Sequence, residues 1–253
     1  MRALAPWAAA LVVLPLAGCG GGGSADDGRT TLTVFAAASL TTTFEQLADD
    51  FEAQHPDVDV QLSFGGSSDL VAQLTEGAEA DVFASADTRN MDALVDAGLA
   101  ADEPSEFATN TLMIAVPPGN PAGVEGLADL GDEDLDVVVC APEVPCGNAS
   151  LEVAEAAGVT LAPDSEEQSV TDVLGKVEAG EADAGLVYLT DVTAADEKVE
   201  GIAFPEAAGV VNHYPVVVVD GAPHASLARE WVDLLLGDGR AVLAEAGFGP
   251  AGP

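Results

Sequence analysis

Four short turns of small residues each stand just ahead of an expected helix. They are Ala37-Ala38-Ser39, Gly65-Gly66-Ser67-Ser68, Pro145-Cys146-Gly147-Asn148-Ala149 and Gln168-Ser169-Val170. The first backbone N–H groups of a helix have no carbonyl four residues back, and the helix dipole puts partial positive charge beside them. Such termini are ready anion sites, to which serine hydroxyls add donors. A serine before a helix is by itself an ordinary cap. Several such turns in one α/β chain point to capture of a small anion by neutral donors. None of the four turns contains Lys or Arg, so short-range hydrogen bonds would have to do the binding.

Other chemistries are poorly provided for. Ser39 or Ser67 could serve as a nucleophile only with a base. No Gly-x-Ser-x-Gly elbow is present, and His55, His213 and His224 are scattered without helical ligand spacing. Neither an enzyme nor a resident cofactor or metal is expected. Asp81, Asp87 and Asp183 read as turn or cap residues, since a carboxylate would oppose an anionic ligand.

The charge narrows the partners. Seven Lys and Arg stand against 44 Asp and Glu, a net −37. Such a surface repels nucleic acid and anionic lipid head groups, and gives an anion no long-range steering. It is an acidic coat, or in part a dock for a basic partner.

The elements that must position the turns alternate. Strands are expected at Thr31–Ala36, Val58–Phe64 and Asp81–Ala84. The helices between and after them run from a cap at Ser39 to about Gln54, over Asp69–Glu76 from a cap at Ser67 or Ser68, and over Thr88–Ala97. A strand at Thr111–Val116 leads to a second series. It has strands at Asp136–Cys140, Ala184–Leu189, Ile202–Phe204 and Val216–Val219. Its helices are Ala149–Ala157, Val170–Glu178, about Ala225–Leu236 and Arg240–Ala246. Repeated βα units with apolar strands argue parallel sheets flanked by helices. The run ending at Asp81 is echoed by the run ending at Asp183, 102 residues later. That separation suits two similar α/β lobes better than a solenoid repeat.

The N-terminus reads as an export signal. Met1-Arg2 precedes an apolar stretch from Ala3 to Leu16, too short for a stable membrane span. Leu16-Ala17-Gly18-Cys19 resembles a bacterial lipobox, which implies cleavage after residue 18 and lipid on Cys19. Residues 19–29 are then a Gly-rich tether. Cys140 and Cys146 remain as an even pair, and Pro142 and Pro145 between them favour a turn. A small disulfide loop is expected in preference to two free thiols.

Three motifs in order carry a resemblance: Phe35-Ala-Ala-Ala-Ser-Leu40, Phe64-Gly-Gly-Ser-Ser-Asp-Leu70 and Ala80-Asp-Val-Phe-Ala-Ser-Ala-Asp87. With Pro142-Glu-Val-Pro-Cys-Gly147, Leu186-Val-Tyr188, Phe204-Pro-Glu206 and Tyr214-Pro-Val216, they resemble the bacterial molybdate-binding proteins of ABC molybdate importers. The resemblance implies an α/β fold of the two-lobed type II periplasmic-binding-protein kind, with a ligand cleft between lobes. Lobe I would hold residues 30–109 and 212–253, and lobe II residues 110–211. It implies that molybdate or tungstate is held by Ser39 and Ser67, by backbone N–H groups at Cys146 and Val170, and by the Tyr188 hydroxyl. The metal would be reached through its oxygens, with no direct metal ligands. Ser68 remains an alternative to Ser67, and Cys146 stands where alanine is more usual. The implied partner is an ABC permease. The implied setting is an exported monomer, lipid-anchored to the outer face of the cell membrane. Another oxyanion such as sulfate, or a small organic solute, is the alternative ligand.

Overall fold

The computed structural model describes residues 28–252. The signal peptide, Cys19 and the tether as far as residue 27 lie outside them. Strand β1 (Thr30–Ala37) leads through a 3₁₀ turn (Ala38–Leu40) to α1 (Thr41–Gln54). Then follow β2 (Val58–Gly65), α2 (Ser67–Thr75), β3 (Val82–Ala84), α3 (Thr88–Asp96) and the long β4 (Ser105–Val116). The second series is β5 (Val137–Cys140), α4 (Pro145–Ala157), β6 (Ser165–Glu167), α5 (Val170–Glu178), β7 (Ala184–Tyr188), α6 (Leu189–Ala195) and β8 (Glu200–Ile202). The chain returns along β9 (Val211–Val218) and ends with α7 (Ala225–Leu236), α8 (Gly239–Glu245) and β10 (Gly249–Pro250).

The strand order is β2-β1-β3-β9-β4-β7-β5-β6. Strand β1 pairs in parallel with β2 and β3, and β5 does so with β6 and β7. The antiparallel pair β4–β9 joins the two groups. Each half is therefore three parallel strands plus one crossing strand, in mirrored order. The Asp81–Asp183 echo is a structural equivalence. The Asp81 N–H donates to Thr33 O at 2.8 Å while its carboxylate accepts from Thr33 N–H at 2.9 Å. The Asp183 N–H donates to Asp136 O at 2.8 Å and its carboxylate accepts from Asp136 N–H at 3.1 Å. Each aspartate thus clamps the central strand of its half.

Period-two alternation sorts the side chains of the first half between two faces. Leu32, Val34, Val82, Val216 and Val218 face a core with α1, α7 and α8, built on Phe44, Phe51, Trp231 and Leu235. Phe35, Phe83 and Val217 face the opposite core, with Leu70, Leu74, Met91 and Leu94 of α2 and α3. The other half packs round Ile114, Val137–Cys140, Val153, Val173 and Leu186. Strands covered on both faces read as unbroken apolar runs, as Val137-Val-Val-Cys140 does.

Several elements depart from sequence expectation. Strands β4 and β9 begin well before Thr111 and Val216, because their first halves carry polar residues that pair with one another. Helix α4 starts at Pro145 rather than Ala149, proline being well suited to a first helical position. Ser39 caps nothing: Leu40 holds the cap position of α1. Gly66, not a serine, holds that of α2. Strand β8 ends at Ile202, where the sequence suggested a start.

Cys140 and Cys146 form the disulfide, with Cα atoms 5.7 Å apart. Closing so short a loop restricts the unfolded chain modestly, by about 2 kcal/mol. Cys140→Ser with Cys146→Ser is expected to lower the melting temperature by about 5 °C in a calorimetric scan. An unchanged midpoint would mean that the bridge does not constrain the unfolded ensemble.

Candidate functional site

The five residues singled out from sequence fall at the carboxyl ends of five strands, where open α/β sheets bind ligands. Ser39 follows β1, Ser67 opens α2 after β2, and Cys146 lies in the first turn of α4 after β5. Val170 opens α5 after β6, and Tyr188 ends β7. All five line one cavity, which leaves about 10 Å³ open to the centre of a water-sized particle. Ser68 does not line it. The backbone N–H groups of Ser67, Cys146 and Val170, as first-turn residues, have no intrahelical acceptor. Three helix N-termini, from α2, α4 and α5, therefore converge on a space fit for a single compact ion. No Lys, Arg, Asp or Glu lines it.

Local sequence explains the convergence. Ser169 caps α5, its Oγ accepting from Asp172 N–H at 3.2 Å. Gly147 lets α4 begin tight against the end of β5, since a Cβ there would lie 1.9 Å from Ala141 O. Gly66 does the same between the halves. A Cβ on it would meet Gln168 O at 2.2 Å. Nearby, Arg89 Nη1 donates to Pro142 O at 3.3 Å and to Asn148 Oδ1 at 3.2 Å. Asn90 Nδ2 reaches Glu143 O at 3.4 Å. The cleft is closed in this structure, with α3 latched to the start of α4.

Behind the cavity lies a polar network that sequence reasoning missed. Ser67 Oγ accepts from Ala86 N–H at 3.1 Å. Asn212 Nδ2 donates to Ala86 O and to Tyr188 Oη, both at 3.0 Å. Ser39 Oγ lies 3.0 Å from Tyr214 Oη. Asn110 Nδ2 donates to Thr190 Oγ1 at 2.8 Å and approaches Tyr214 Oη at 3.5 Å. Asn110 and Asn212 face each other across the β4–β9 ladder. The available signal was spacing: Asn212 and Tyr214 put polar groups on the face of β9 that continues as Val216 and Val218.

Burial, with Tyr214, Asp87 and Asp191 nearby, holds the Tyr188 phenol well above its ordinary range, so it stays an O–H donor. Burial also raises Asp87, against hydrogen bonds from Asn90 and Ser85 and the charge of Arg89. Asp191 caps the start of α6, accepting from Tyr188 N–H at 2.8 Å. Burial nevertheless pushes its carboxyl up to about 7. Among the described residues no cluster of His, Cys, Asp and Glu could hold a metal ion.

A cleft between two α/β lobes, lined at its centre by hydrogen-bond donors, defines a binding protein for a small solute. The profile of the family "Bacterial extracellular solute-binding protein" matches residues 32–249, and the chain belongs to that family. It is 47% identical over 246 residues to the molybdate-binding protein ModA of Mycobacterium tuberculosis, covering 94% of each chain. Its fold is that of the Azotobacter vinelandii periplasmic molybdate-binding protein, with a TM-score of 0.72 at 24% identity, covering 86% of this chain and 98% of that one. It is also that of the sulfate-binding protein SubI from Mycobacterium tuberculosis, with a TM-score of 0.77 at 19% identity, covering 89% and 88%. Among the described residues no helix is long and apolar enough to cross a membrane.

Proposed function

We propose that the chain captures molybdate or tungstate outside the cell and delivers it to an ABC permease. The observation that carries this reading is the meeting of Ser39, Ser67, Cys146, Val170 and Tyr188 on one ion-sized cavity without a charged side chain. A buried dianion is tolerable only when its oxygens are hydrogen-bonded throughout, and charge-assisted bonds from N–H and O–H are short and strong. The name of the 47%-identical relative supports the same ligand. Sulfate is the second reading, supported by the fold shared with a sulfate-binding protein. A small organic solute fits less well, since pockets for such ligands run to about 300 Å³ or more.

In this reading residues 30–109 with 212–253 form lobe I and residues 110–211 form lobe II. The lobes hinge about the β4–β9 pair, and an anion bonded to both holds them shut. Cys19 carries a lipid that anchors the protein, as a monomer, to the outer face of the membrane. The protein binds and releases without catalysis.

Thermal melting with molybdate, tungstate, sulfate and phosphate in turn tests this. A ligand at a hundred times its dissociation constant adds about 2.7 kcal/mol of stability. Molybdate and tungstate are expected to raise the midpoint and phosphate is not. A response to sulfate alone would move the assignment to the second reading, and no response to any anion would end it. Ser39→Ala removes one charge-assisted bond and is expected to weaken molybdate binding about tenfold to a hundredfold by titration calorimetry.

A further inference from the structure

The hydroxyls at the cavity are held from behind, and at Tyr188 a side chain decides how. Asn212 stands in β9 and is 6% exposed. Its Nδ2 donates to two oxygens at once, Ala86 O and Tyr188 Oη, both at 3.0 Å. Its Oδ1 is buried without a hydrogen-bond partner. Folded proteins seldom leave such a group unsatisfied. Turning the amide over would not relieve it. Oδ1 would then face Ala86 O, and a carbonyl has no proton to give. Ala86 therefore fixes the direction of the amide, and the second Nδ2 proton is committed to Tyr188.

We propose that Asn212 is a positioning residue that sets the polarity of the anion site, by filling a lone pair of Tyr188 Oη and leaving the phenol its proton to offer the cavity. The proposal rests on the oxyanion reading above. A phenol free to turn accepts a proton from hydrogen phosphate as readily as it donates to molybdate. One held from behind by Asn212 has a lone pair already filled, which favours donation to the cavity over acceptance from it. Asn212 thus selects fully ionised anions without touching them. Ala86 ties Ser67 into the same arrangement. Its N–H donates to Ser67 Oγ, leaving that hydroxyl its proton too, while its C=O locks Asn212. An unbroken run of hydrogen bonds links Ser67 at one wall of the cavity to Tyr188 at the other.

The test is titration calorimetry of Asn212→Leu, similar in size but without the amide, against sodium molybdate and sodium phosphate at neutral pH. The molybdate-to-phosphate affinity ratio is expected to fall about tenfold or more, by loss on one side and gain on the other. Tyr188→Phe, which removes the hydroxyl, should weaken molybdate with no gain for phosphate. A ratio left standing in Asn212→Leu overturns the proposal and makes Asn212 structural only. If the unaltered protein binds neither anion, the oxyanion reading has failed and this one falls with it. A second measurement does not depend on the leucine variant folding. The Raman doublet of tyrosine distinguishes a phenol that accepts from one that donates. The ligand-free difference between the unaltered protein and Tyr188→Phe should carry the accepting signature. A phenol that donates without accepting overturns the proposal.

Discussion

Gly66→Ala is expected to cost at least about a hundredfold in oxyanion affinity while leaving the ligand-free melting temperature nearly unchanged. The backbone at Gly66, φ −61° and ψ 137°, suits any residue, so alanine brings no strain of its own. What it brings is a methyl group 2.2 Å from Gln168 O and 3.5 Å from Val144 Cγ1, across the cleft. The overlap with a carbonyl can be relieved only by parting the halves. Parting them withdraws the donors of one lobe, two or three charge-assisted bonds worth about 1.5–3 kcal/mol each. The substitution therefore penalises the closed form and spares the open one. Titration calorimetry reads the affinity, and small-angle scattering with saturating molybdate reads whether the variant still contracts. Unchanged affinity with full contraction would remove Gly66 as the closure contact.

The second large effect is one of pH. The Asp191 carboxyl titrates at about 7 in the folded chain, against 3.8 as the ordinary value. Between those values the folded protein holds a proton that the unfolded chain has released. Stability therefore falls as pH rises through that window and is level on either side of it. The whole fall is roughly 4 kcal/mol from this one group. Asp191→Asn keeps an acceptor for Tyr188 N–H and cannot ionise. Relative to the unaltered protein it should be neutral near the acid end of the window and more stable at its alkaline end. Urea unfolding of both proteins across that range checks this. The difference between them cancels the repulsion among the many other carboxylates. A difference that does not change with pH would place the Asp191 titration elsewhere.

Much of this was legible in residue order. The apolar runs of β1, β3, β5 and β7 announce strands covered on both sides, and the small-residue turns that follow β1, β2, β5 and β6 announce the cavity. Less legible were elements whose residues serve a tertiary purpose. The first half of β9, Val211-Asn-His-Tyr-Pro215, mixes polar groups and a proline into a strand because it faces β4 and the back of the site rather than a plain core. Strand β6, Ser165-Glu-Glu167, sits at the sheet edge, where one side needs no apolar cover. Helix α6 follows Tyr188 directly, and its seven residues give too few turns for a periodic pattern. The serines misled most. Ser39 and Ser67 have the composition of caps, yet the cap positions belong to Leu40 and Gly66, and both hydroxyls line the cavity instead.

The mirrored strand order has a consequence for how the molecule comes into being. Strand β9 lies between β3 and β4 in the sheet, yet it leaves the ribosome more than a hundred residues after either neighbour begins. Its companions Trp231 and Leu235, fully buried against α1, arrive later still. Until they do, β3 is left with an open edge and the first core lacks one wall. The intervening stretch, β5 to β7 with α4 and α5, needs from downstream only the segment to Ala207 that completes its core. The middle of the polypeptide is thus placed to settle first, and its beginning must wait for its end.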